Sequence, residues 1–171
     1  MTRYTPSAQR ALMALALALS LSACVTPPKA QAPLMQQLDS TLRQAAPDRR
    51  LSLRLNPETV KVGELVSAEL RSDQSGYLYL FQLSSDGREL NLVFPNSIDG
   101  ANYIAAGDTA QLPRPNWRLR AKGPVGVGYL MAVVTQEQQD LMALPAKLKE
   151  GQIAVSGPYA AAMAPLREVG P

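Results

Sequence analysis

The stretch Gly76-Tyr77-Leu78-Tyr79-Leu80-Phe81-Gln82-Leu83-Ser84 is almost wholly apolar and aromatic. Turn-forming residues bound it, Asp73-Gln74-Ser75 before and Ser85-Asp86-Gly87 after. On an extended chain Leu78 and Leu80 share one face, while Tyr77, Tyr79 and Phe81 share the other. A strand apolar on both faces needs cover on both, so this is read as a central strand of a sheet.

The segments around it are shorter and alternate. Leu51, Leu53 and Leu55 are separated by Ser52 and Arg54, a half-buried strand stopped by Pro57. Leu65–Arg71 forms a second strand ahead of the central one. Beyond the central strand, Gly87 stands where a short hairpin loop calls for positive φ, and Glu89–Phe94 returns alongside. Thr109–Leu112, Trp117–Ala121 and Gly126–Val134 follow as further strands, with a last short one at Gln152–Val155. Leu78, Leu80, Val93, Leu130, Ala132 and Val134 are the expected core.

Two segments have helical character. Leu34, Leu38 and Leu42 recur every four residues within Leu34–Ala45, which ends before Pro47. Gln136–Leu144 follows a capping-box spacing, Thr135 to Gln138, and stops at Pro145. Short strands at this spacing predict a mainly β fold, an antiparallel β-sandwich or barrel-like domain of about seven to eight strands with one or two short helices. The domain is expected over residues 48–156. Gly157–Pro171, rich in Ala and Pro, is expected to be a flexible C-terminal tail.

The N-terminus carries a different signal. Arg3 and Arg10 precede an apolar run, Ala11–Leu21, and small residues follow at Ser22 and Ala23. This is the anatomy of a secretory signal, and the run is about half of the roughly 20 residues that a spanning helix needs. Leu21-Ser22-Ala23-Cys24 resembles a bacterial lipobox and contains the only cysteine of the chain. The resemblance implies that residues 1–23 are a cleaved signal peptide and that Cys24 becomes a lipidated first residue. Residues 24–47 would then be the lipidated N-terminus and a tether with a short helix. Anchoring needs more than one acyl chain, which a lipoprotein cysteine supplies. Val25, rather than Asp, implies an anchor in the outer membrane facing the periplasm.

Composition restricts the chemistry. With no histidine in 171 residues and a single cysteine, Ser-His-Asp and Cys-His constellations cannot form, nor can the usual Cys/His zinc sites. Asp86, Asp99 and Asp108 lack the spacing of a calcium loop and are read as turn residues. Loss of Arg3 and Arg10 with the signal leaves 15 Lys and Arg of the original 17 against 14 Asp and Glu, a net charge of +1. Arg114, Arg118, Arg120 and Lys122 are the nearest approach to a basic cluster and are read as a solvated strand face rather than a nucleic-acid stripe. The expectation is a protein that is not an enzyme, with no metal and no cofactor beyond the covalent lipid on Cys24.

The order of Gly76-Tyr77-Leu78-Tyr79-Leu80, Asp86-Gly87 and Leu92-Val93-Phe94-Pro95-Asn96 resembles the centre of a bacterial domain family of unknown function. Asn102–Gly107, Leu112-Pro113, Lys122–Gly126 and Leu130–Thr135 continue the pattern, over roughly residues 60–135. The family occurs on envelope lipoproteins and beside bacterial serine/threonine kinases and caspase-like peptidases. The resemblance implies a non-catalytic binding or scaffolding module for an envelope or secretion-associated assembly. The alternative is a sensory or regulatory domain that binds a small ligand or cell-wall fragment. The expected partners are the membrane, through the lipid, and an envelope protein, with no nucleic acid.

Asn96–Gly107 is the longest connection without evident structure, and loops on a rigid scaffold commonly carry recognition. Asn96, Asp99, Asn102 and Tyr103 within it, with Trp117 beyond, are the candidate partner-binding residues. The competing reading has Tyr103 and Ile104 pinning the loop to the core and Trp117 buried inside it.

Overall fold

The computed structural model describes residues 33–140, 155 and 157–170. Cys24, the C-terminal half of the expected second helix and Gln152–Ala154 of the expected last strand lie outside the described residues. The elements run α1 Pro33–Arg43, β1 Leu51–Asn56, β2 Thr59–Lys61, β3 Leu65–Ser72, β4 Gly76–Leu83, β5 Leu90–Phe94 and β6 Tyr103–Ile104. Then follow β7 Thr109–Leu112, β8 Leu119–Arg120, β9 Gly126–Thr135 and β10 Tyr159–Val169. They build two sheets. A four-stranded sheet has the order β1-β3-β7, with β8 also on β3, and a six-stranded sheet has the order β2-β10-β9-β4-β5, with β6 on β4. The fold is a β-sandwich, and no closed barrel forms among the described residues.

Alternation decides which residues enter the space between the sheets. Val66, Ala68 and Leu70 of β3 are buried, whereas Leu65, Glu69 and Arg71 are exposed. Leu51, Leu53 and Leu55 of β1 join them, opposite Leu78, Leu80, Leu130, Ala132 and Val134 of the six-stranded sheet. Val93 sits on edge strand β5 and is only half-buried. β4 and β9 lie beside each other in register, Leu80 opposite Ala132. Their other face carries Tyr79, Phe81, Met131 and Val133, all fully buried in a second cluster. The central-strand reading of Gly76–Ser84 therefore holds on both faces.

Cover for the second face comes partly from α1. Its leucine stripe puts Leu38 at 0% exposure among those aromatic side chains, with Leu34 and Met35 packed beside it. Tyr159 fastens the helix end. Its hydroxyl donates to the Thr41 carbonyl at 2.8 Å, and its own carbonyl accepts from the Ala46 amide at 2.8 Å. Burial raises the Tyr159 phenol above its ordinary value. The helix, expected as part of a tether over residues 24–47, thus packs on the sandwich.

Two further expectations are corrected. The C-terminal segment expected to be a flexible tail forms β10, whose 11 residues make it the longest strand described. It pairs with β9 from Tyr159↔Thr135 to Glu168↔Gly126. Alanine-rich sequence has little intrinsic strand preference, but the same small side chains let β10 run under the leucines of β1. Pro165 is tolerated because β2 pairs only with Arg167–Val169, so among the described residues no strand pairs with that side of β10 at the proline. The helix expected from Gln136 does not form at Gln136–Asp140. The Thr135 hydroxyl donates to the Glu137 carbonyl at 2.6 Å instead of capping, and the Gln139 amide donates to the Tyr79 hydroxyl at 2.7 Å.

Gly76, which opens the central strand, is required by close approach. A Cβ there would stand 2.3 Å from the Thr135 carbonyl oxygen on β9.

Candidate functional site

β5 ends at Phe94-Pro95, and the chain needs 13 more residues, Asn96–Asp108, to reach β7. The loop is short of regular structure but not of hydrogen bonds. Asn96 turns it over. Its Oδ1 accepts from the amides of Ile98 at 2.9 Å and Asp99 at 3.0 Å, and its Nδ2 donates to the Val93 carbonyl at 3.1 Å. Main-chain bonds between Asn96 and Asp99 close the same turn in both directions.

That turn aims Asp99 inward, to 6% exposure. Its carboxylate has two partners. Oδ2 accepts from Trp117 Nε1 at 3.0 Å, and Oδ1 takes an ion pair from Arg114. The second guanidinium nitrogen of Arg114 donates to the Ala101 carbonyl at 2.8 Å. The same guanidinium lies over the Phe94 ring, 5.2 Å from its centroid, and Phe94 stacks with Trp117 at 6.4 Å and 4° between planes. A charged residue from the β7–β8 connection is thus sandwiched between a strand-end aromatic and a buried acid, and it clamps the loop against the sandwich.

Asn102 holds the next turn. Its Nδ2 donates to the Leu78 carbonyl at 3.1 Å, and its main-chain carbonyl accepts from the Leu78 amide at 2.7 Å. This places Tyr103 and Ile104 to pair with Tyr77 and Gly76 as β6. Ile104 points into the core, and Tyr103 points out, 59% exposed, with its ring edge-to-face on Tyr77 at 5.4 Å and 73°. Farther on, the Ala106 amide donates to Ser75 Oγ and the Gly107 amide to the Ser72 carbonyl. Gly107 has φ +82°, the left-handed conformation that fits glycine.

The candidate residues therefore separate by role. Asn96, Asp99, Asn102 and Trp117 spend their polar groups inside the protein and shape the loop. Tyr103 alone of that group is displayed. Ile98, 63% exposed, was not among the sequence candidates, although it stands out from the same loop. Arg114 was also missed as the loop's clamp. Its position between Pro113 and Pro115, beside Asn116-Trp117, is the signal that sets it apart from Arg118, Arg120 and Lys122. Those three are exposed, and the two arginines among them donate to main-chain carbonyls at Pro115, Trp117 and Gly63. Among the described residues no group of Asp, Glu, Cys or His side chains is arranged to hold a metal ion.

No curated protein and no solved structure matches this chain. A domain of unknown function, DUF4384, is found at residues 59–138, which run from β2 past the end of β9 and include the whole clamped loop.

Proposed function

We propose that the chain is a lipoprotein anchored in the outer membrane through Cys24, and that its sandwich is a non-catalytic binding or scaffolding module for an envelope assembly. The observation that carries the binding reading is the Asn96–Asp108 loop. Its polar side chains are turned inward to fix its shape, while Tyr103 and Ile98, an aromatic and a large aliphatic group, face solvent at 59% and 63%. An aromatic held rigid before contact loses little side-chain entropy on binding, and Tyr is among the residues most enriched at interface hot spots.

The anchor reading rests on the lipobox resemblance.

The test is site-specific photo-crosslinking in cells with the probe at position 103, compared with a probe at exposed Glu69 on the outer face of the other sheet. A partner captured from 103 and lost in Ile98→Ser supports the reading. Equal capture from both positions sinks it. For the anchor, Cys24→Ala must abolish lipid labelling, and continued outer-membrane fractionation of that variant would refute lipid attachment.

A further inference from the structure

We propose that the depression at the head of the four-stranded sheet is a binding site for a small organic monoanion, with Arg50 and Arg71 as the groups that hold its carboxylate. The depression has a volume of about 540 Å³ and is open on one side. That volume is within the range of small-ligand sites, roughly 300–1,000 Å³.

The ladder between β1 and β3 sets the geometry. Ser52 is opposite Arg71, so both side chains stand on the outer face of the sheet. The pairing continues one step beyond the strands. The Asp73 amide donates to the Arg50 carbonyl at 3.1 Å, and the Arg50 amide donates to Asp73 Oδ1 at 2.8 Å. Arg50 therefore lies on the same face as Ser52 and diagonal to Arg71, where Cβ atoms are roughly 7–8 Å apart. Two arginine side chains at that spacing can close on one carboxylate from either side.

Nothing among the described residues already occupies them. Among the described residues neither guanidinium has an ion pair or a hydrogen-bond acceptor. The nearby acids are committed or displaced. Asp73 has an oxygen on the Arg50 amide, Glu69 accepts from Gln111 at 2.7 Å farther down the face, and Asp108 is outside the lining. The lining thus carries two cations and one anion, a net charge of +1 that complements a monoanion better than a phosphate dianion. Its far wall is preset, since the amides of Ala106 and Gly107 are bonded to Ser75 and Ser72. The Ala106 methyl, exposed on the far wall, supplies an apolar contact for a short aliphatic body.

This site is independent of the Tyr103 surface, and its test separates the two. The full chain is titrated with N-acetyl-alanine, with N-acetyl-alaninamide and with inorganic phosphate. The arginine Nε–Hε resonances are followed, assigned through Arg50→Gln and Arg71→Gln. Saturable shifts confined to Arg50 and Arg71 are expected with the carboxylate and not with the amide. Each variant should weaken binding about tenfold or more, as expected for losing a charge-assisted bond. Because both side chains are exposed, melting temperature should stay unchanged, and Tyr103→Ala should bind the probe normally. Equal binding of the amide, tighter binding of phosphate than of the carboxylate, or undiminished affinity in both variants would each overturn the proposal.

Discussion

Removal of the Asp99 carboxylate is the sharpest way to test whether the long loop is a built structure. In Asp99→Ala, Trp117 Nε1 is left buried without its acceptor, a loss of about 1–3 kcal/mol. Arg114 loses its counter-charge as well. Breaking a fully buried ion pair costs about 3–5 kcal/mol, but the Arg114 side chain is 35% exposed and can rehydrate. The ionic part is accordingly closer to the exposed-pair value of about 1 kcal/mol. The expected total is about 2–4 kcal/mol. Asp99→Asn keeps an oxygen for the indole and loses only the charge, so it should cost about 1–2 kcal/mol. The chain contains one tryptophan, Trp117, at the site itself, so urea unfolding followed by its fluorescence reads local and global change together. Native emission should shift to the red in Asp99→Ala as the indole loosens. A loss below about 1 kcal/mol in Asp99→Ala, with unshifted emission, would refute the clamp.

Other perturbations probe the frame. Leu80→Ala empties a fully buried position between the sheets and should cost about 2–5 kcal/mol in chemical denaturation; a value well under 1 kcal/mol would tell against a central β4. A chain ending at Gly157 lacks β10, which removes one of the two neighbours of β9 and, among the described residues, the only partner of β2, and should fail to show a cooperative unfolding transition. Tyr159→Phe removes the bond to Thr41 at a cost of about 1 kcal/mol and should loosen α1, seen as faster amide exchange in the helix. The phenol is raised by burial from 10.0, so its contribution is intact below about pH 10 and is lost as pH rises through the higher folded value. Wild type should therefore lose more stability than Tyr159→Phe on going to strong alkali, and parallel curves would contradict the assignment.

The central strands were legible because their signal is local. In Gly76–Ser84 and Gly126–Val134 both faces are apolar, so no knowledge of neighbours is needed to place them inside. β10 was not legible for the opposite reason. Tyr159-Ala160-Ala161-Ala162-Met163-Ala164-Pro165 has weak strand preference and a proline, and only the presence of β9 on one side and the late arrival of β2 on the other make it a strand. β2 and β6 consist of three and two residues, too short for any period to show, and exist through their partners β10 and β4. Thr135 carried a capping pattern whose hydroxyl was drawn to Glu137 instead. The loop gave its location but not its roles. Asn and Asp read equally well as recognition groups or as turn-formers, and only the fold shows that Asn96, Asp99 and Asn102 face inward.

Those inward-facing side chains change what the loop can do. A 13-residue connection left free would pay to order its backbone, at about 1–2 kcal/mol per residue, each time it bound a partner. Here that ordering is complete before contact. Asn96 closes one turn, Asp99 is held by Arg114 and Trp117, Asn102 is bonded to β4 on both its side chain and its carbonyl, and Ala106 and Gly107 are tied to the β3–β4 corner. Tyr103 is placed by a two-residue strand and braced by Tyr77, so its ring has a fixed direction. It follows that polar and exposed substitutions should act on capture differently. On the proposed binding role, replacing Tyr103 or Ile98 should reduce capture and leave stability intact. Replacing Asp99 should instead lower affinity by restoring the entropy that the clamp removes.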